Sequence, residues 1–222
     1  MQTSSKQSPI KLAVITGRHP YDVQGFHDLF RAVPGVDFYM QHLEAYATSP
    51  STVRAQYDVV LFYNMHIESP ARKDPWYELG TREAMEQLGQ SNQGVFVLHH
   101  AIVAFPDWPL FDELVGIENR RTDAFTEQSV RVHVSNPDHP ITRGLTDWDM
   151  VDEVYLMPDA GAANNVLLTT DYPKSMKTLA WTRQYKESRV FCLQSGHDTH
   201  TFTNANFREV VSRGIAWCGG RI

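Results

Sequence analysis

Apolar residues enter this chain in short runs, and the polar stretches between them carry a helical period. KLAVIT (11–16) is a β-branched run closed by Gly17, the pattern of a strand buried on both faces in a parallel sheet. VDFYMQ (36–41) follows the turn signal Pro34-Gly35, and FHDLFRAV (26–33) between the two has helical spacing, so the opening reads as a βαβ unit. YDVVLFY (57–63) predicts the next strand, LGTREAMEQLG (79–89) a helix with Leu79, Met85 and Leu88 on one side, and GVFVL (94–98) a fourth strand. Alternation of this kind argues for a doubly wound α/β sheet. After Trp108, PLFDELVG predicts one more helix, and then the rhythm changes. SVRVHVS, NVLLTT, KTLAWTR and SRVFCLQ follow with little helical material between them, which predicts antiparallel hairpins added to the core sheet. The last pattern, NANFREVVSRGIAWC, has Asn204 as N-cap and Phe207, Val210, Val211, Ile215 and Trp217 on one broad face, as a terminal helix on the sheet would.

Residues 1–9 have no periodicity and are expected to form a mobile tail, leaving 10–222 as one domain without repeats or linkers. Hydrophobic residues at 42% and charged residues at 21% are ordinary for a globular protein, and a net charge of -6 leaves no broad basic face for nucleic acid. The polar start MQTSSKQSPI and the absence of any uncharged apolar run near ~20 residues predict neither signal peptide nor membrane span, hence a cytoplasmic protein. The two cysteines, Cys192 in RVFCL and Cys218, form no CxxC pair and read as buried thiols.

Chemistry enters with histidine. Every proposed parallel strand runs into one: Gly17-Arg18-His19, His42, Asn64-Met65-His66, His99-His100 and Ser195-Gly196-His197. With ten histidines in 222 residues, this placement is not what chance gives. Carboxyl ends of parallel strands form one edge of an open sheet, where ligand crevices lie. Imidazole suits such an edge because it transfers protons near neutrality and ligates Zn, Mn or Ni when neutral. Glu153 in MVDEVYL, next to Asp152, and Asp198 after His197 are the carboxylates that could complete a set, although Glu153 also reads as a solvated loop acid. Trp108, Tyr63 and Tyr155 could offer flat faces to a sugar ring. His42 and His133 read as structural and His139 as bonded to its own loop. Adjacent side chains on a strand point oppositely, so His99 and His100 share a site only if the chain turns sharply between them; one is expected to face the crevice and the other to pack. There is no G-x-S-x-G elbow around Ser195, Cys192 sits mid-strand, and ITGRHPYDVQG matches no phosphate loop, so a nucleotide is not expected.

The TGRH turn, VLFYNMH, GVFVLHHA with a following Trp, DHPITRGL, DEVYL, SRVFCLQSGHD and the closing GIAW together resemble the trehalose-utilisation (ThuA-like) family over residues 11–219. The resemblance implies a flavodoxin-like, class I glutamine amidotransferase-like fold: a doubly wound, mostly parallel sheet with added hairpins. Where amidotransferases of that fold carry a nucleophilic Cys, this chain has the His99-His100 pair, and His197 stands like their late His. Without the Cys, glutaminase chemistry through a thioester is closed. The family's link to trehalose and related disaccharides implies a small-molecule sugar as partner. It implies His99, His197 and Glu153 as catalytic residues or ligands of a divalent metal (Zn, Mn or Ni), with weaker cases for His19, His66 and His100. GRHPYDVQGFH offers two first-loop histidines, His19 and His27. The rival expectation is a sugar-binding or regulatory module without catalysis; a homo-oligomer stays open.

Overall fold

The computed structural model describes residues 8–70 and 76–222, so seven of the nine residues of the expected tail lie outside the described residues. In chain order the elements are β1 (Ile10–Gly17), α1 (Val23–Arg31), β2 (Val36–His42), α2 (Leu43–Thr48), α3 (Ser51–Arg54), β3 (Val59–Asn64), α4 (Trp76–Glu86) and β4 (Gly94–Leu98). A 3-10 turn (His99–Val103) follows, then α5 (Pro109–Val115), β5 (Asp123–Val134), β6 (Trp148–Leu156), β7 (Asn165–Thr169), β8 (Thr178–Tyr185), β9 (Ser188–Leu193), α6 (Thr199–Phe202) and α7 (Ala205–Cys218).

One sheet of nine strands runs β2-β1-β3-β4-β9-β8-β7-β5-β6. The pairings from β2 to β9 are parallel and those from β9 to β6 antiparallel. The expected mostly parallel sheet is therefore a mixed one, with half of its ladder antiparallel. The reason is local: β8 and β9 are joined through the pair Tyr185 and Ser188, a two-residue hairpin with Lys186 at φ 51°, too short for a crossover helix.

The parallel half is buried on both faces, which is why its strands read as continuous apolar runs. Leu12 and Val14 of β1, Leu61 and Tyr63 of β3, and Phe96 and Leu98 of β4 face one core with Phe26, Leu29 and Phe30 of α1 and Val210, Val211 and Ile215 of α7. The alternate residues, Ala13 and Ile15, Val60 and Phe62, Val95 and Val97, face a second core with α2, α4 and α5. Asn204 caps α7 as predicted, accepting from the N–H groups of Asn206 (3.0 Å) and Phe207 (3.1 Å). Among the described residues no helix is long and apolar enough to cross a membrane.

β6 is the outermost strand by ladder order, yet it folds back over the end of β9. Its carbonyls at Asp149, Val151, Glu153 and Tyr155, which face away from β5, accept from Asn204 Nδ2 (3.5 Å), Thr201 Oγ1 (3.1 Å), Gln194 Nε2 (3.0 Å) and Met176 N–H (2.6 Å). The free edge is thus occupied by the chain itself, and the residues of β6 reach the carboxyl ends of the parallel strands.

Candidate active site at the carboxyl edge of the parallel strands

β4 ends at Leu98, and His99 takes φ 52°, a left-handed value rare for a residue with a Cβ. The chain turns at once into the 3-10 segment, so His99 and His100 end 5.3 Å apart, ring to ring, on the same side of the sheet end. A strained strand-to-helix elbow of this sort is where related architectures expose a nucleophile. Here an imidazole occupies it. Arg120, fully buried, holds the segment that follows: its guanidinium donates to the carbonyls of Ile102 (2.9 Å), Ala104 and Phe105 (2.7 Å) and pairs with Asp112 (2.8 Å).

His99 is wholly buried, and its Nδ1–H donates to the Gln194 carbonyl at 2.6 Å. That bond leaves Nε2 facing three groups, Tyr155 Oη at 3.0 Å, His197 Nδ1 at 3.2 Å and Glu153 Oε1 at 3.6 Å, as an acceptor for the tyrosine hydroxyl in the neutral ring or a donor to the carboxylate in the charged one. Glu153 is a strand residue of β6, 8% exposed, which corrects the solvated-loop reading. Its other oxygen lies 3.5 Å from His197 Nδ1. Burial pushes the Glu153 carboxyl upward, but the hydrogen bond and charge of His99 and the charge of His197 outweigh it and hold it below the usual carboxylate value. Burial keeps the Tyr155 hydroxyl far above its ordinary value, so it serves as a donor.

His197 is placed by Asp152. That carboxylate, 2% exposed, accepts the N–H groups of Gly196 (2.8 Å), His197 (3.0 Å) and Glu153 (2.9 Å), so one buried side chain fixes the backbone of two members of the cluster. Burial raises its pKa, against the lowering effect of His99 and of these hydrogen bonds. Gly196 has φ 129°, and a Cβ there would meet Leu98 at 3.2 Å, Phe207 at 3.3 Å and His99 at 3.5 Å.

One ligand atom each from His99, Glu153 and His197 lie within 4.8 Å of one another. The other expected residues divide. His19 stacks on His100 (centroids 4.2 Å) and lies edge-on to His197 (6.2 Å), whereas His27 sits on α1 against Phe38 (4.9 Å), so His19 is the first-loop histidine at the cluster. His100 packs beneath, its Nε2 on the Tyr63 carbonyl (3.0 Å), and burial drives its pKa down to about 2. Tyr63, 1% exposed, donates its hydroxyl to the Gly196 carbonyl (2.9 Å) and stacks on Phe26, a positioning contact with no face open to a sugar. Tyr155 likewise has its ring stacked on His99 (5.0 Å) and reaches the cluster through its hydroxyl. Trp108 packs against Phe105 and under Arg82, with 6% of its surface exposed, and touches none of the cluster. His66 belongs to a neighbouring group: Nδ1 faces Asn64 Nδ2 (3.1 Å) and Nε2–H donates to Glu44 (3.3 Å). Asp198 caps α6 through the His200 N–H (2.9 Å) instead of joining the carboxylate set. His133 pairs with Asp147 at 2.8 Å, and His139 accepts from the Ile141 N–H at 3.2 Å, as their structural readings required. Cys192 is buried, which pushes its thiol pKa up and leaves it inert. Asp152, Gln194 and Arg120 do much of the positioning; the sequence marks Asp152 only as the neighbour of Glu153 and Gln194 only by its place just past a strand end, and Arg120 carries no signal.

A family model described as ThuA, trehalose utilisation, matches residues 17–218. The chain belongs to the ThuA family. No curated protein matches this ThuA chain in sequence. Its fold is shared by a ThuA-like protein from Parabacteroides merdae (TM-score 0.76, 19% identity, 97% of this chain and 92% of that one). A second ThuA-like protein, from Bacteroides uniformis, gives a TM-score of 0.72 at 20% identity, covering 96% of this chain and 92% of that one. A glutamine amidotransferase from Thermotoga maritima aligns with a TM-score of 0.50 at 10% identity over 83% of this chain and 75% of that one. At these identities the likeness shows the fold alone: ThuA here is built on an amidotransferase-type α/β sheet.

Proposed function

We propose that the protein acts in the utilisation of trehalose or a related disaccharide or keto-sugar, through a divalent cation held by His99, His197 and Glu153. The observation that carries this is the donor triangle. His99 Nε2 and His197 Nδ1 lie 3.2 Å apart and Glu153 straddles them, Oε1 3.6 Å from the first and Oε2 3.5 Å from the second, with one ligand atom from each residue within 4.8 Å of the others, distances that a cation with ligands ~2.1 Å away spans after small side-chain adjustments. Two imidazoles and a carboxylate also match the set that leaves open positions for substrate. The supporting shell is of the right kind: Gln194 sets the His99 tautomer, and Asp152 fixes the backbone that carries His197 and Glu153.

When bound, a cation of this type polarises a sugar carbonyl or hydroxyl. The chain's own groups do the rest. Glu153, held ionised, ligates or accepts a proton, and Tyr155 supplies a hydroxyl hydrogen to whichever of His99 or Glu153 lacks one. His100 and His19, both lowered by burial, stay neutral and line the floor. Calorimetric titration with Zn, Mn and Ni should show stoichiometric binding to the wild type and none to the His99→Ala, His197→Ala double variant. Turnover of trehalose or its keto derivatives should be lost in Glu153→Gln with the fold intact. Equal metal binding by the double variant would sink the assignment; metal binding without turnover of any sugar would leave a binding module.

A further inference from the structure

Beside the histidine cluster, the turn Gly17-Arg18-His19 sends His19 to the cluster and Arg18 into a separate cavity of about 380 Å³. Glu44, His66, Glu68, Ser69 and Phe105 are among its other walls. That volume lies in the range of small-molecule pockets, ~300–1,000 Å³. Two of its walls are backbone-strained: Arg18 has φ 62° and Phe105 φ 47°, the latter held by its N–H on the His66 carbonyl (2.6 Å). Conformations of that kind persist only where the surroundings over-determine them, and they collect at binding sites.

The polar groups are arranged with capacity to spare. Asn64 and Glu44 hold the two nitrogens of His66, which fixes the imidazole as a neutral donor to Glu44 Oε1. Arg18 approaches the same oxygen at 3.8 Å, an ion-pair distance longer than a hydrogen bond. Both pairs use Oε1. Glu44 also accepts from its own backbone N–H, which leaves lone pairs on its carboxylate to spare, and the guanidinium of Arg18, 67% exposed, keeps N–H groups to donate. Charge narrows the ligand class, since one guanidinium is set against two carboxylates, Glu44 and Glu68, around a neutral imidazole, a lining that disfavours phosphate or carboxylate, and a donor beside an acceptor suits adjacent hydroxyls.

We propose that this cavity is a subsite for a neutral polyhydroxylated ring, with the Glu44 carboxylate accepting from one hydroxyl and Arg18 donating to its neighbour. It rests on the preceding reading only in that a sugar reaches this rim; it needs no metal. The test is NMR titration of the full chain with methyl glucoside and, separately, glucose 6-phosphate, at millimolar concentrations. The wild type should bind the neutral sugar and prefer it to the phosphate. Arg18→Ala and Glu44→Gln, checked for folding by circular dichroism, should each weaken binding about tenfold, the loss of a charge-assisted hydrogen bond. The His99→Ala, His197→Ala double variant should keep the binding. No neutral-sugar binding, tighter binding of the phosphate, or variants within about twofold of wild type would overturn the subsite, whatever the metal titration gives. A flat metal titration with sugar binding intact would sink the metal centre and leave the subsite standing.

Discussion

A left-handed φ on a residue with a Cβ costs of order 1–3 kcal/mol, and His99 carries it at the one point where β4 must stop and present a side chain. Gly196 answers the same need from the other side, with φ 129° and a Cβ position tight against Leu98 and Phe207 and in contact with His99. Gly196→Ala should lower the urea-denaturation stability by roughly 1–3 kcal/mol and weaken metal binding by moving His99. His100 makes a second residue-level prediction. Its folded pKa is about 2 against an ordinary 6.5, with His19, His99 and His197 around it. Between those values the unfolded chain binds a proton that the folded chain does not. Stability from this group is present above pH 6.5 and falls on acidification by up to about 1.4 kcal/mol per pH unit. Urea midpoints of chelator-treated protein between pH 6.5 and 5 should show that slope, and His100→Asn should flatten it. The histidines at strand ends were legible from sequence because a strand boundary is a local signal. Which of His19 or His27 turns inward was not, since that depends on a turn whose outcome is set by His100 stacking across it.

At the scale of elements, β6 shows where reading by pattern stops. WDMVDEVYL lacks clean alternation because Asp152 and Glu153 both point into buried surroundings that a solitary strand could not provide. The parallel strands posed no such difficulty, since burial on both faces makes them uniformly apolar, while α2, α3 and α6, at six, four and four residues, are too short for a helical period to emerge. Asp152 joins β6 to the loop after β9 by two N–H bonds, from Gly196 and His197, and accepts a third from Glu153 beside it. Asp152→Asn puts an amide N–H against those donors and should cost about 2–3 kcal/mol, with metal affinity falling alongside; unchanged affinity would show that the loop holds its shape without the carboxylate. Arg120 plays the corresponding part for the segment after the 3-10 turn. Arg120→Met leaves Asp112 and three carbonyls without their donor, and thermal or urea unfolding should register a loss of about 3–5 kcal/mol.

The whole molecule sets its site at a seam. His99 and His197 follow strands of the parallel half, and Glu153 comes from the last strand of the antiparallel half, so a cation there would tie the two halves of the sheet together. Binding the folded chain alone, it should raise unfolding stability by about 2.7 kcal/mol at a hundredfold excess over Kd, read as a rise in Tm that a chelator reverses. The doubly wound half was legible in the strand-helix alternation; the return of β6 onto β9 was not, because no local pattern records a contact between residues some forty positions apart.

That return has a consequence for behaviour in concentrated solution. The carbonyls of Asp149 and Val151 are occupied by Asn204 and Thr201, which belong to the chain's final segment. A chain shortened at residue 198 would therefore lose more than its last helices: it would uncover the acceptors of Asp149 and Val151 on an edge strand, the kind of site on which strand-to-strand stacking begins. The C-terminal helices are, in that sense, the molecule's guard against adhesion to its own copies.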